Sequence, residues 1–206
     1  LLFSTSISYL IAIIMERDTE KKRKFWLILG IILSIGLLFT LKYLDFLSLS
    51  ISGLLSKLNL PLLPRINLII PIGISFYSFT VTGYLIDVYK KKNPAEKNFI
   101  DYALFVSFFP QLLSGPIERA SNMLVQYKKT RKFDISNLKA GSIRFLWGLF
   151  KKMIIADQLA MLVNGTYASL NEKSSINVVI AIIAYSLQIY VDFSAYSDMA
   201  IGSARL

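Results

Sequence analysis

Between Ser186 and Ala200 the chain places Gln188, Tyr190, Asp192, Ser194, Tyr196, Ser197 and Asp198 in a segment otherwise built of apolar residues. Carboxylates can move protons or hold cations, and an amide with hydroxyls can orient a polar acceptor. A serine becomes a nucleophile only beside a base. The run 176–185 before this stretch is apolar, so the whole segment is hydrophobic enough to enter a bilayer. An aspartate at that depth costs at least about 2.5 kcal/mol, so the polar groups must face protein, water or a bound substrate. At about 100° per residue, Tyr185, Gln188, Asp192 and Tyr196 share one face of a helix, and Ser194, Ser197 and Asp198 share another. A helix polar on two faces belongs inside a bundle. The other reading is a solvated helix end at headgroup level. Asp192 and Asp198 point to different faces and make no obvious acid/base pair.

The elements that position these groups follow from composition. Of 206 residues, 54% are hydrophobic and 17% charged, against about a quarter charged in soluble domains. A polytopic, all-helical membrane protein is the class this implies. Cysteine and histidine are both absent. That excludes disulfides, thiolate chemistry and the commonest general base and metal ligand from these residues, so no metal site is expected. The net charge of +10 sits in short clusters between apolar runs. This is the pattern of cytoplasmic loops rather than of nucleic-acid binding. No basic region precedes the first apolar run and no small-residue cleavage site follows it, so a signal peptide is not expected. The chain starts at Leu1 and stops close after the polar stretch, which reads as an internal fragment of a longer protein.

Taken in order, 1–15 is a spanning helix, and the loop from Glu16 to Lys24 carries five cations, which places it in the cytoplasm. Residues 25–41 cross outward, with Lys42 and Tyr43 at the interface. The stretch 43–63 suggests an amphipathic or interfacial element, ended by Pro61 and Pro64. The span 66–88 is wet, carrying Ser75, Tyr77, Ser78, Thr80, Thr82 and Tyr84, and Gly73 and Gly83 permit close helix approach. The apolar segment 99–113 is short for a span and basic on both flanks. A re-entrant element over 99–116 is predicted, broken by Pro110, Gly115 and Pro116 and lining a cavity. A helix lying along the interface is the competing reading. Residues 134–152 form an interfacial amphipathic helix, capped by Asp134 or Ser136. The span 145–163 contains Asp157 and Gln158, which suit lipid poorly; a polar turn 164–175 and the span 176–200 follow. No phosphate-binding loop, dinucleotide fingerprint or His/Cys metal spacing is present.

Four blocks carry a family likeness. They are Pro71-Ile72-Gly73-Ile74-Ser75-Phe76-Tyr77 with Tyr84-Leu85-Ile86-Asp87-Val88-Tyr89, the run from Phe108 to Arg119, the run from Gly148 to Asp157, and the run from Leu187 to Gly202. Together with the basic loop before Phe25 they resemble the membrane-bound O-acyltransferases (MBOAT), in the alginate O-acetyltransferase branch. Ala195 departs from the pattern, since the family often has glycine there. The resemblance implies that 1–206 is the N-terminal and central part of one MBOAT transmembrane domain, a ring of helices around a funnel with a thin floor. The implied activity is transfer of an acyl group, usually acetyl, to hydroxyls of an exported polysaccharide or peptidoglycan. D-alanyl transfer to teichoic acid is the alternative within the family, and a multi-span transporter or flippase the alternative outside it. A membrane scaffold without chemistry is a further reading.

By the same resemblance the catalytic histidine belongs to a Trp-His motif beyond Leu206, so no catalytic residue is expected within the chain, and the fragment alone should be inactive. Gln188, Tyr190, Asp192, Ser194, Tyr196 and Asp198 would line the funnel or bind the acceptor. Pro110, Gln111, Gly115 and Pro116 would shape the floor, with Arg119 meeting an anionic donor or partner at the cytoplasmic mouth. No resident cofactor is expected. The acyl donor would be acetyl-CoA or an acyl carrier. Implied partners are the lipid bilayer, a polysaccharide acceptor, and either an extracytoplasmic acetyltransferase or a cytoplasmic acyl carrier. The implied location is the bacterial cytoplasmic membrane.

Overall fold

The computed structural model describes residues 1–58, 61, 68, 70–112, 115–129, 133–170 and 173–206. Among the described residues the structure is helical with no strand: α1 (Leu2–Arg17), α2 (Glu20–Lys57), α3 (Ile74–Tyr89), α4 (Phe99–Ser107), α5 (Phe109–Leu112), α6 (Ala120–Tyr127), α7 (Ile135–Phe150), a π-helix (Lys151–Ala156), α8 (Asp157–Ala168) and α9 (Ser175–Arg205). Pro64, the first residues of the expected span 66–88, and residues 113 and 114 of the expected re-entrant segment lie outside the described residues. The chain divides into two compact units, Leu1–Phe108 with Ile117–Thr130, and Phe109–Pro116 with Arg131–Leu206.

In the first unit α1, α2 and α3 pack on one another, and α4 and α6 extend the cluster. The core is aromatic: the Tyr84 and Tyr102 rings lie 4.7 Å apart, Phe105 packs against both, and Tyr77 is buried as well. A buried tyrosine hydroxyl usually finds a partner; that of Tyr77 has none among the described residues, but the other two tyrosines do. Tyr102 finds it in Ser8 Oγ at 2.7 Å, and Tyr84 Oη accepts the Glu96 N–H at 2.8 Å. Ser8 also donates back into its own helix, so the hydroxyl face of α1 packs without orphaned groups at that position. Gly30 lets α2 approach closely; a Cβ there would stand 2.6 Å from the Leu85 side chain. Gly73, at φ 74°, starts α3 in a conformation that side-chain-bearing residues rarely adopt.

Helix α2 stays unbroken through residues 43–57, where composition suggested a separate interfacial element. Within that stretch Ser56 donates to the Gly53 carbonyl, so this hydroxyl is satisfied inside the helix. The break in 99–116 falls at Phe108, between α4 and α5. Pro110 stands in the first turn of α5, where a missing N–H costs little.

The second unit is organised by α7 against α9. Small residues form the seam. A Cβ on Gly148 would lie 2.6 Å from the Ala195 carbonyl oxygen, and one on Gly202 would lie 2.7 Å from Phe145 N. Ala195, the departure from the family pattern, is fully buried here. Asp134 caps α7 as anticipated, accepting the Ser136 N–H at 2.9 Å. Helices α2 and α9 are long and apolar enough to cross a membrane, with mean hydropathies of 2.2 and 1.7. Only 11% of either window is buried. The core helix of a soluble domain would be mostly covered, so these apolar faces call for lipid or for further protein.

Candidate functional site

The polar stretch of α9 meets a row of cations on α7 and the π-helix. Arg144 and Lys151 are seven residues apart and so share a face of α7 and its continuation. Both reach Asp198: Arg144 Nε lies 3.0 Å from Oδ1 and Lys151 Nζ 2.5 Å from Oδ2. Lys151 also donates to Ser194 Oγ at 2.7 Å. Ser194 and Asp198 are four apart on α9, which stacks them on one side. The side chains of Lys151 and Asp198 are only 14% and 19% exposed, so the pair is sheltered from screening.

Lys152 turns to the other two carboxylates. Its Nζ lies 2.7 Å from Asp192 Oδ1 and 3.0 Å from Asp157 Oδ1. Residues five apart diverge on an α-helix, but the i→i+5 turn of a π-helix brings them into line. The six-residue π-helix is therefore what lets Lys152 bond Asp157 within its own segment while spanning to α9. Three cations face three carboxylates in this cluster, so its formal charges balance. The carboxylates are engaged and the Lys151 ammonium is committed to Asp198 and Ser194. The cluster holds helices together and offers Ser194 as an onward hydroxyl donor. It contains no uncommitted base.

Of the residues singled out from sequence, Asp192, Ser194 and Asp198 are thus brought together. Gln188 is half-buried, and its Oε1 is enclosed with no partner among the described residues. Tyr190 is 72% exposed, and Tyr196 is half-buried. In the same unit Pro110 and Gly115 are buried, Gln111 and Pro116 half-buried. Gly115 folds back so closely on Pro110 and Gln111 that a Cβ would strike both backbones, and α5 packs against α9. Arg119 belongs to the first unit, where its guanidinium lies 3.7 Å from Asp87 Oδ1 and is 64% exposed. The pair flanks a cleft of about 340 Å³ whose walls include Thr80, Gly83, Tyr84 and Phe105.

Sequence reasoning missed Arg144, Lys151 and Lys152 as partners of α9. Their spacing shows that Arg144 and Lys151 share a helix face, but not which element that face meets. It also missed the Glu96–Lys128 pair at 2.7 Å. Burial pushes the Glu96 carboxyl up, but the Lys128 ammonium and the N–H groups of Asn98 and Lys97 outweigh it and hold the carboxyl below its usual range. The same bond from Glu96 raises Lys128.

No family model matches the chain. Curated relatives do. The chain is 38% identical to the probable alginate O-acetylase AlgI of Pseudomonas syringae pv. tomato, over 88% of its own length and 35% of that protein. It is 38% identical to the probable alginate O-acetylase AlgI of Pseudomonas aeruginosa, over 86% of the chain and 34% of that protein. It is 35% identical to the peptidoglycan O-acetyltransferase of Helicobacter pylori, over 97% of the chain and 42% of that protein. The chain thus spans between a third and a half of the length of these relatives.

Proposed function

We propose that the chain is part of a membrane-bound O-acyltransferase of the alginate O-acetylase branch, and that the whole protein transfers an acetyl group to hydroxyls of an exported cell-surface polysaccharide or of peptidoglycan. The observation that carries this reading is identity of 35–38% to proteins named for those two reactions, over nearly the whole chain. In this reading the helices ring a funnel in the cytoplasmic membrane, and residues 99–116 form a re-entrant floor. An acetyl-CoA or acyl-carrier donor meets the acceptor there. Such a reaction needs a base to take the proton from the acceptor hydroxyl, a role worth about 10²–10⁴ in rate. Each carboxylate of the cluster is paired with a cation, which weakens it as a base, and this reading gives the proton-taking role to the histidine that the family resemblance implies.

The cluster then has a positioning role. Lys151 and Asp198 fix α9 on α7, and Asp192, whose side chain is 48% exposed beside Lys152, presents a carboxylate toward the acceptor's hydroxyls. The test is the ester content of the surface polymer in a strain lacking the gene and complemented with full-length variants. Wild type should restore acetyl ester, and a variant without the downstream histidine should not. Asp192→Asn should restore a reduced level at unchanged membrane content. Full ester with the histidine gone would overturn acyl transfer by this route. D-alanyl ester in place of acetyl would reassign the donor.

A further inference from the structure

Lys151 and Lys152 are neighbours in sequence but serve different partners at different depths. The side chains of Lys151 and Asp198 are 14% and 19% exposed. Those of Lys152, Asp157 and Asp192 are 40%, 44% and 48% exposed. The depth separates their roles. A sheltered pair is costly to break and holds its helices together, whereas ion pairs exposed to this extent add little to stability. Yet it is the exposed set that the departure from regular helix serves. The Asp157 N–H donates to the Lys152 carbonyl, an i→i+5 bond in place of the i→i+4 bond of an α-helix. At 100° per residue the two side chains would stand about 140° apart, and Lys152 would turn away from Asp157 on reaching Asp192. Such π-turns recur at functional sites.

One ammonium is thus shared by two carboxylates, Nζ lying 2.7 Å from Asp192 Oδ1 and 3.0 Å from Asp157 Oδ1. Asp157 restrains the ammonium from its own helix, and the ammonium in turn restrains the carboxylate of Asp192 on α9. Asp192 keeps acceptor capacity beyond this bond, since a carboxylate offers about four lone-pair sites and about half of its side chain is open. We infer that Lys152 is a positioning residue, which by gripping Asp157 and Asp192 at once aims the remaining lone pairs of Asp192 at a hydroxyl of the acceptor. The inference rests on the acyl-transfer reading, in which Asp192 meets the acceptor. Asp192 touches the acceptor and Lys152 acts through it, moving no proton itself. With two carboxylates to one cation, the trio suits a group that donates a hydrogen bond and disfavours a carboxylate of the polymer at the same point.

Acetyl transfer by membranes of the complemented strain, carrying full-length variants, tests this. The membranes are supplied with cytosol, labelled acetyl-CoA and graded concentrations of de-esterified surface polymer, and rates are normalised to membrane content. Lys152→Met should raise the acceptor KM about tenfold, as for one hydrogen bond to a charged group lost from its aim, with kcat within about twofold of wild type. Lys152→Arg, which still donates to both carboxylates, should stay within about threefold of wild type. Asp192→Asn should raise KM similarly, and adding Lys152→Met to it should raise KM no further, because Lys152 acts through that carboxylate. Lys139→Met, an equal charge loss at an exposed position of α7, should leave both constants unchanged. Should Lys152→Met not accumulate in the membrane, Lys152→Gln takes its place under the same criteria. An unchanged KM overturns the inference, as does a loss confined to kcat, a Lys152→Arg protein no better than Lys152→Met, or KM effects that multiply in the double variant. All of these leave wild-type transfer, and with it the acyl-transfer reading, intact; absence of labelled ester from wild type removes both.

Discussion

Replacing Lys151 with methionine isolates what the sheltered ion pair contributes. The substitution keeps the length and apolar stem of the side chain and removes the ammonium. Two contacts vanish, to Asp198 at 2.5 Å and to Ser194 at 2.7 Å. Deleting one partner of a buried pair costs about 3–5 kcal/mol because the other charge is stranded. Here Asp198 retains Arg144 at 3.0 Å and is 19% exposed, so some of the stranding is relieved. About 2–3 kcal/mol is the expected loss. Adding Asp198→Leu removes the stranded carboxylate. Arg144 is 39% exposed and can turn to water, and a buried pair replaced by apolar residues is often neutral in stability. The double variant should therefore be more stable than Lys151→Met alone, with a coupling of about 1–3 kcal/mol. Reversible unfolding of the full-length protein in mixed micelles, followed by helicity across the four members of the cycle, measures it. Additive losses in the double variant would refute the reasoning, as would a Lys151→Met protein as stable as wild type.

Two further outcomes follow from the packing and the charges. Gly148→Leu should prise α7 from α9 and cost upward of about 1–3 kcal/mol, since even its Cβ meets the Ala195 carbonyl at 2.6 Å. Gly165→Ala, at a helical position with nothing within 4 Å, should instead gain about 0.5–1 kcal/mol, and thermal unfolding distinguishes the two. The Glu96–Lys128 pair predicts a pH profile. The Glu96 carboxyl is lowered, so its stabilisation is complete above the ordinary glutamate range and is lost as pH falls through the lowered value. Lys128 is raised, so its share is complete below the ordinary lysine range and is lost as pH rises through the raised value. Glu96→Gln should flatten both limbs in a melting-temperature series, and limbs that persist would exclude this pair as their source.

Much of the helical layout was legible because it rests on period and capping. Asp134 announces α7 by its type and place, and the apolar lengths of α2 and α9 mark them as membrane-capable. The continuation of α2 to Lys57 was hidden because serine and glycine were read as interfacial. Composition does not reveal that a hydroxyl bonds its own helix. The polar face of α9 was legible as a group needing company, but its company was not. Arg144, Lys151 and Lys152 read as the basic side of an interfacial helix at the headgroup boundary, and nothing in their identity says that they turn inward to a helix some fifty residues later in the chain. The Arg144–Asp198 and Lys151–Asp198 separations, 54 and 47 residues, put these contacts beyond any local pattern.

The stretch from Lys151 to Ala156 also changes how residues beyond it must be assigned to sides. A wheel drawn at 3.6 residues per turn from Ile135 loses phase there, because each wider loop of backbone holds more than an α-turn does. Sides inferred for Leu159, Leu162 or Thr166 by counting from α7 come out rotated, and the frame has to be restarted at Asp157. Comparisons between relatives in this region must respect the same offset: a one-residue gap within the stretch is a shift of angular frame, which reorients the whole of α8 even though no apolar character is lost.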